Sequence, residues 1–327
     1  MRKVGITATA SFFPERIVTN DDLAEQVETS DEWIRTRTGI SQRHYVEPGT
    51  GSADLAVPAV KKMLEEKGIS PDEIDMVVFA TVTPDTVFPA SACRVQDALG
   101  MTRAWGFDVS AACSSFLYAQ SIGAQYIRTG MAQKCVVIGA DVMTSIIDPT
   151  DRTTCVLFGD AAGCVLLEPV EENGLIDEFF QIDGSGAKYL HMPAGGSRKP
   201  ASLETVKNGE HFVHQTGNEV FKRAVTDMSN AAIEVLKRNG VEASEVKLFV
   251  PHQANKRIID VVGKRIGLKK EQVGVNIHLR GNTTSATLPT CLDAELKKGT
   301  ISKGDYVLLA TFGAGFTWGA SLYKWNY

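Results

Sequence analysis

Nowhere does the 327-residue sequence reach the roughly 18–20 uninterrupted apolar positions that a membrane-spanning helix requires, and its first ten residues carry charge without the apolar stretch of a secretory signal. No membrane partner is expected, and the cytoplasm is the expected compartment. The six cysteines, Cys93, Cys113, Cys135, Cys155, Cys164 and Cys291, include no Cys-x-x-Cys pair and no clustered Cys/His spacing. That argues against a structural metal site and for separate, reduced thiols. Positive charge is not in excess: 34 Lys and Arg against 39 Asp and Glu leave a net charge of −5. A broad nucleic-acid-binding face is excluded, and any basic binding site must be a local patch.

What is present fits a globular enzyme, with 43 % hydrophobic and 22 % charged residues and, at about 100–200 residues per domain, length for about two domains. Short β-branched runs alternate with helical ones, which predicts an α/β chain with a largely buried sheet. Strands are expected at Val4–Phe12, Met76–Thr83, Trp105–Val109, Cys135–Gly139, Ala162–Leu167 and Tyr306–Thr311. Helices are expected over Asp54–Lys67, Cys113–Arg128, Asn218–Arg238 and Leu288–Lys298, with Gly68 and Gly130 stopping the first two. Thr29-x-x-Glu32 reads as a capping box that sets Trp33 near a first helical turn. The order of elements repeats: residues 73–80 are echoed by 245–252, residues 134–141 by 304–311, and residues 161–167 by 319–323. A duplicated α/β unit is expected, with one half over residues 1–170 and the other over 171–327. Residues 184–208, rich in Gly, Ser, Lys and Pro, read as a surface excursion.

Cys113 follows a strand and precedes a helix within a run of small residues. There the unpaired amides and the helix dipole favour thiolate and make the thiol a candidate nucleophile. Cys135 and Cys164, by contrast, read as small hydrophobes inside strands, and Cys93, Cys155 and Cys291 receive the same plain reading. His252 emerges at a strand end after Pro251, where open α/β sheets place function. Asn282 lies in a loop that opens a helix, and Phe312–Gly319 forms a glycine-rich turn at the end of another strand. Thiol, imidazole, carboxamide and flexible turn together suit nucleophilic catalysis with polar assistance.

These segments also carry a resemblance. Thr29–Ile40, Phe88–Cys93, Asp108–Phe116, Asp151–Gly163, Gly217–Lys222, Pro251–Asn255, Gly281–Thr283 and Phe312–Gly319, in this order, resemble the β-ketoacyl-acyl-carrier-protein synthase III family of the thiolase-like superfamily. The likeness runs from end to end. It implies a thiolase-like fold of two duplicated halves in an α-β-α-β-α core, and decarboxylative condensation of an acyl-CoA starter with malonyl carrier protein. It implies a catalytic triad of Cys113, His252 and Asn282, with the Cys113 and Ala314 amides as oxyanion hole. Trp33, Arg37 and Arg152 would contact CoA, and Lys222, Arg257, Lys264 and Arg265 would face the acidic carrier protein. Without the likeness, that basic group reads first as a solvated face. Phe88 would cross a homodimer into the partner's acyl pocket. No cofactor and no metal are implied, acyl-CoA being a substrate.

Three other readings stand beside this one: a related thiolase-fold enzyme of secondary metabolism, a papain-type Cys-His-Asn hydrolase, and a non-catalytic subunit of the same fold. The hydrolase is disfavoured by the mid-chain cysteine, and the non-catalytic subunit by the retained nucleophile. Ala314, where the family more often has glycine, is harmless only if its φ is negative.

Overall fold

A computed structural model describes all 327 residues. In chain order the strands are β1 (Lys3–Phe12), β2 (Arg16–Thr19), β3 (Gln42–Tyr45), β4 (Met76–Ala80), β5 (Trp105–Val109), β6 (Cys135–Asp141), β7 (Ala161–Val170), β8 (Gly174–Ile182), β9 (Leu190–His191), β10 (His214–Gln215), β11 (Val246–Pro251), β12 (Tyr306–Gly313) and β13 (Thr317–Lys324). The helices are α1 (Asn20–Ala24), α2 (Asp31–Thr38), α3 (Ser52–Lys67), α4 (Ser91–Ala98), α5 (Ser115–Thr129), α6 (Leu203–Lys207), α7 (Gly217–Arg238), α8 (Lys256–Ile266), α9 (Ile277–Arg280) and α10 (Thr287–Lys297).

Two sheets of matching plan carry the core. The first runs β1-β7-β6-β4-β5 and the second β8-β13-β12-β11. In each, one parallel pair (β4–β6, β11–β12) is followed by two antiparallel ones (β6–β7 and β7–β1, β12–β13 and β13–β8). Where the first sheet has β5, the second has only a parallel bridge between Phe249 and Val273. The duplication expected from the sequence is therefore present in the sheet order.

Five layers follow from which faces are apolar. Helices α5 and α10 lie between the sheets: Phe116, Leu117, Leu288 and Leu292 share one cluster with Val78 and Val137 of the first sheet and Val250 and Leu309 of the second. Both faces of these strands are covered, so they read as continuous apolar runs rather than alternating ones. Helices α3 and α4 cover the outer face of the first sheet, and α7 and α8 that of the second. Phe116 and Leu117 are fully buried, each worth about 1.5–3 kcal/mol in transfer from water. Gly68 and Gly130 end α3 and α5 at φ of 72° and 81°, left-handed values that glycine adopts without a Cβ penalty.

Two local expectations are corrected. The cap of α2 is Ser30, whose hydroxyl accepts from the Trp33 amide at 3.1 Å, and not Thr29. With Asp31 and Glu32 at the first two helical positions, the cap falls one residue later than the capping-box spacing suggests. Cys113 does not open α5 but sits in a 3-10 turn, Ala112–Ser114, ahead of it. Residues 184–208 are the expected excursion, with only a 3-10 turn, the two residues of β9 and the short α6 as regular structure.

Candidate active site

The end of β5 delivers Cys113 through a turn that the other half of the molecule holds in place. Thr311 Oγ1 on β12 donates to the Cys113 carbonyl at 2.9 Å, Thr317 Oγ1 on β13 donates to the Ala111 carbonyl at 2.9 Å, and Ser114 Oγ donates to the Thr317 carbonyl at 3.1 Å. Gly313 leaves no alternative residue: a Cβ there would stand 2.8 Å from the Cys113 amide nitrogen. Ala112 takes φ of 51°, a left-handed conformation that costs a non-glycine residue about 1–3 kcal/mol and marks a place held by its surroundings.

His252 extends the β11 ladder by one bond, its amide donating to the Ala310 carbonyl at 2.8 Å. Its Nδ1 lies 2.7 Å from Thr287 Oγ1, which in turn lies 3.0 Å from the Thr284 carbonyl. One hydroxyl proton serves both neighbours. Pointed at the carbonyl, it leaves Thr287 to accept from Nδ1–H and frees the Nε2 lone pair; pointed at Nδ1, it leaves the proton on Nε2. Burial pushes the imidazole pKa down to about 3, so His252 is neutral near pH 7.

Asn282 is fixed at both ends. Its amide donates to the Leu157 carbonyl at 2.8 Å, and its Oδ1 accepts from the Thr284 amide at 3.0 Å, which leaves the Nδ2 donors for the cavity it lines. Thr284, like Ala112, has a positive φ, of 52°. Ser285 follows it and meets Asp141 at the end of β6. That carboxylate accepts on Oδ1 from Thr81 Oγ1 (2.9 Å), the Val82 amide (2.7 Å), and the amide and hydroxyl of Thr83 (3.2 and 3.0 Å). On Oδ2 it accepts from the amide and hydroxyl of Ser285, at 2.9 and 2.5 Å. Burial raises the Asp141 pKa, and these donors oppose the rise.

Cys113, His252, Asn282 and Ala314 converge on one cavity of about 310 Å³, walled mostly by apolar side chains and running past Phe221 and Asn255. Cys113, His252 and Asn282 are buried, at 9, 3 and 6 % exposure. Ala314 is not among the three non-glycine residues with positive φ, so its Cβ carries no left-handed strain. The expectation of a resting thiolate is corrected: burial, and secondarily the Asp141 carboxylate, push the Cys113 thiol up to about 12. Set in the turn ahead of α5 and buried, the sulfur keeps its proton.

The other candidates lie outside the cavity wall. Trp33 is half-buried, with the Arg37 and Arg152 guanidinium carbons 4.9 and 5.2 Å from its ring centroid. Arg152 also donates to the Glu28 carbonyl at 2.8 Å. At 5.2 Å the Arg152 guanidinium is within cation–π range of the indole, closer than the roughly 7 Å that a base stacked between the two would need. Lys222, Arg257, Lys264 and Arg265 are all exposed on α7 and α8; Arg257 lies 5.5 Å over the Phe221 ring of the cavity wall, and Lys222 pairs with Glu219 at 3.0 Å. Phe88 is 83 % exposed beside an equally exposed Val87 and lines no part of its own chain's cavity. Sequence reasoning missed Asp141, Thr284, Thr287 and Thr311. Only Asp141 left a signal, as an acid closing an otherwise apolar strand, Cys135–Ala140.

A five-layered fold of two like halves, with a cysteine and an asparagine at the heads of the two inner helices and a neutral histidine at a strand end, defines a thiolase-fold condensing enzyme. The family model for 3-oxoacyl-[acyl-carrier-protein] synthase III matches residues 107–184, and that for its C-terminal part matches residues 236–325. The β-ketoacyl-[acyl-carrier-protein] synthase III of Koribacter versatilis is 48 % identical, over all of this chain and 99 % of its own. The crystal structure of 3-oxoacyl-[acyl-carrier-protein] synthase III from Aquifex aeolicus superposes with a TM-score of 0.91 at 39 % identity, over 98 % of this chain and all of that one. The priming β-ketosynthase of the R1128 polyketide pathway gives 0.92 at 34 %, over 99 % of this chain and 97 % of that one. The chain belongs to the β-ketoacyl-acyl-carrier-protein synthase III family of acyltransferases, the condensing enzymes that begin fatty-acid synthesis.

Proposed function

We propose that this enzyme joins an acyl-CoA starter to malonyl carrier protein, giving 3-oxoacyl carrier protein, CoA and CO₂, with Cys113, His252 and Asn282 as the catalytic residues. The observation that carries this is their convergence, with Ala314, on a single apolar cavity. In the first half-reaction the Cys113 sulfur attacks the thioester carbon, and the thiol proton leaves on the departing CoA sulfur. The Cys113 and Ala314 amides hold the oxyanion as the C–S bond to CoA breaks. In the second, the malonyl C–CO₂ bond breaks, and its electron pair forms an enolate whose oxygen accepts from Asn282 Nδ2 and from Nε2–H of His252. The carbanion attacks the acyl-Cys113 carbonyl and expels the Cys113 thiolate. That thiolate takes up a proton from water, as the high thiol pKa favours.

Trp33 and Arg152 would hold the CoA adenine between them once Arg152 leaves the indole and the Glu28 carbonyl, with Arg37 toward the phosphates. Lys222, Arg257, Lys264 and Arg265 would dock the acidic carrier beside the cavity mouth. β5 is an edge strand, and with Val87 and Phe88 nearly fully exposed it supports a homodimer in which Phe88 enters the partner's acyl pocket. We take residues 1–170 and 171–327 as the two halves, since β7 ends at Val170 and β8 begins at Gly174. Action in the cytoplasm accords with the absence of any helix long and apolar enough to cross a membrane. The likeness to a priming polyketide enzyme keeps a specialised pathway as a second reading.

The test is intact mass after mixing the protein with acetyl-, isobutyryl- or octanoyl-CoA, followed by malonyl carrier protein. A stable adduct on Cys113 that discharges as 3-oxoacyl carrier is expected and names the starter. An adduct lost to water would indicate a hydrolase, and no adduct a non-catalytic subunit.

A further inference from the structure

We propose that Asp141 is a positioning residue for the malonyl half-reaction: its buried carboxylate fixes the turn from which both Asn282 and His252 take their orientation. The proposal rests on the roles given to those two residues above.

Asp141 is fully buried and has no cationic partner; amides and hydroxyls alone surround it. Four donors from residues 81–83 anchor one oxygen to the first sheet, and Ser285 anchors the other to the opposite half of the molecule. What Ser285 fixes is its neighbour Thr284, a β-branched residue at φ of 52°, a conformation that a free turn would abandon. Thr284 then sets two side chains. Its amide holds Asn282 Oδ1, and its carbonyl competes with His252 Nδ1 for the Thr287 hydroxyl. The line Asp141, Ser285, Thr284 ends on the two groups that meet the enolate oxygen, whereas the Cys113 turn is held separately by Thr311 and Thr317. An asparagine at 141 turns its NH₂ either to the Ser285 amide, whose neighbouring hydroxyl can pass its proton to the Ala80 carbonyl 2.9 Å away, or to the donors of residues 81–83, so one side of the clasp opens while the volume stays the same.

The experiment compares Asp141→Asn, Asn282→Ala and the unaltered full-length enzyme in two assays, acylation of Cys113 by acetyl-CoA followed by intact mass, and CO₂ release from malonyl carrier protein. Asp141→Asn is expected to keep acylation within about threefold while CO₂ release falls about tenfold or more, a split that general loosening of the fold does not produce. Equal losses in both assays, or no loss of CO₂ release, would overturn the proposal. Should Asn282→Ala itself show no split, the roles assigned to Asn282 and His252 fail and the proposal falls with them; a split in Asn282→Ala but not in Asp141→Asn sinks the proposal alone. If Asp141→Asn does not fold, Ser285→Ala, which removes one donor and keeps the charge, must show a smaller split of the same sign, and its absence overturns the proposal.

Discussion

In the N-terminal half a left-handed Ala112 opens a 3-10 turn, Cys113 follows, and α5 begins at Ser115; in the C-terminal half a left-handed Thr284 opens the same turn, Ser285 follows, and α10 begins at Thr287. Counted from the helix, Ser285 stands where Cys113 stands, and in the strand echo Ala80 stands where His252 stands. Each turn is gripped from the opposite half by the residue at one echoed strand position, Thr311 on β12 for Cys113 and Asp141 on β6 for Ser285. The two grips differ in what they leave free. Thr311 binds a main-chain carbonyl and leaves the thiol to the cavity, whereas Asp141 binds the serine hydroxyl itself and removes it from chemistry. One copy of the turn thus presents a nucleophile, and the other has become scaffolding for Asn282.

The sharpest way to break this contrast is to give the first turn the side chain of the second. Cys113→Ser should fold and should lower acyl-enzyme formation by about 10³-fold or more, because an alkoxide is far harder to form than a thiolate beside a histidine with a pKa of about 3. Intact mass measures this, and an adduct at the unaltered rate would remove Cys113 from its role. Next in size, His252→Ala and Asn282→Ala should lower condensation by about 10²–10³-fold while sparing acylation more. Equal loss in both steps would instead give them a general part in activating Cys113. Thr311→Val tests the grip on the first turn: it should slow acylation about tenfold and leave CO₂ release from malonyl carrier protein nearly unchanged, the reverse of the pattern expected at Asp141. A loss confined to CO₂ release would show that the two grips are not specific to their turns.

Much of this contrast was legible in the sequence, and the part that was not has a physical cause. Strand echoes gave the duplication because buried strands in a covered sheet must be apolar throughout, and β4, β6, β11 and β12 are. His252 stood out at the end of such a run and Cys113 in a turn of small residues between strand and helix, whereas Asn282, in a polar loop, read alone as a cap or turn residue and took its role from the family resemblance. The protonation state of Cys113 was not legible: local order suggested a helix end, while burial, which depends on residues far along the chain, decides against thiolate. Asp141 and Thr311 were hidden for the same reason, since their partners lie 144 and 198 residues away and a lone polar residue at a strand end carries no mark of what it grips. The cap of α2 slipped by one residue because Thr29 and Ser30 are both capping types and the spacing to Glu32 pointed to Thr29, whereas Ser30 is the better cap by type.

The smallest expected effect lies at the cavity mouth, where the halves no longer mirror each other: α8 carries the exposed basic residues Arg257, Lys264 and Arg265, and its outer-layer counterpart α4 carries one Arg and one Asp. Arg257 is exposed, with its guanidinium carbon 5.5 Å from the Phe221 ring centroid. Reversing that charge in Arg257→Glu removes one attraction and adds one repulsion toward an acidic carrier without touching Cys113. The KM for malonyl carrier protein should rise about fivefold at low salt and by less than about twofold near 0.5 M salt, where the screening length is only a few ångströms, while kcat stays level. If the KM for acyl-CoA rises instead and is equally salt-sensitive, the basic face serves the nucleotide rather than the carrier protein. The asymmetry between the halves would then mark the starter's route into the cavity, not the extender's.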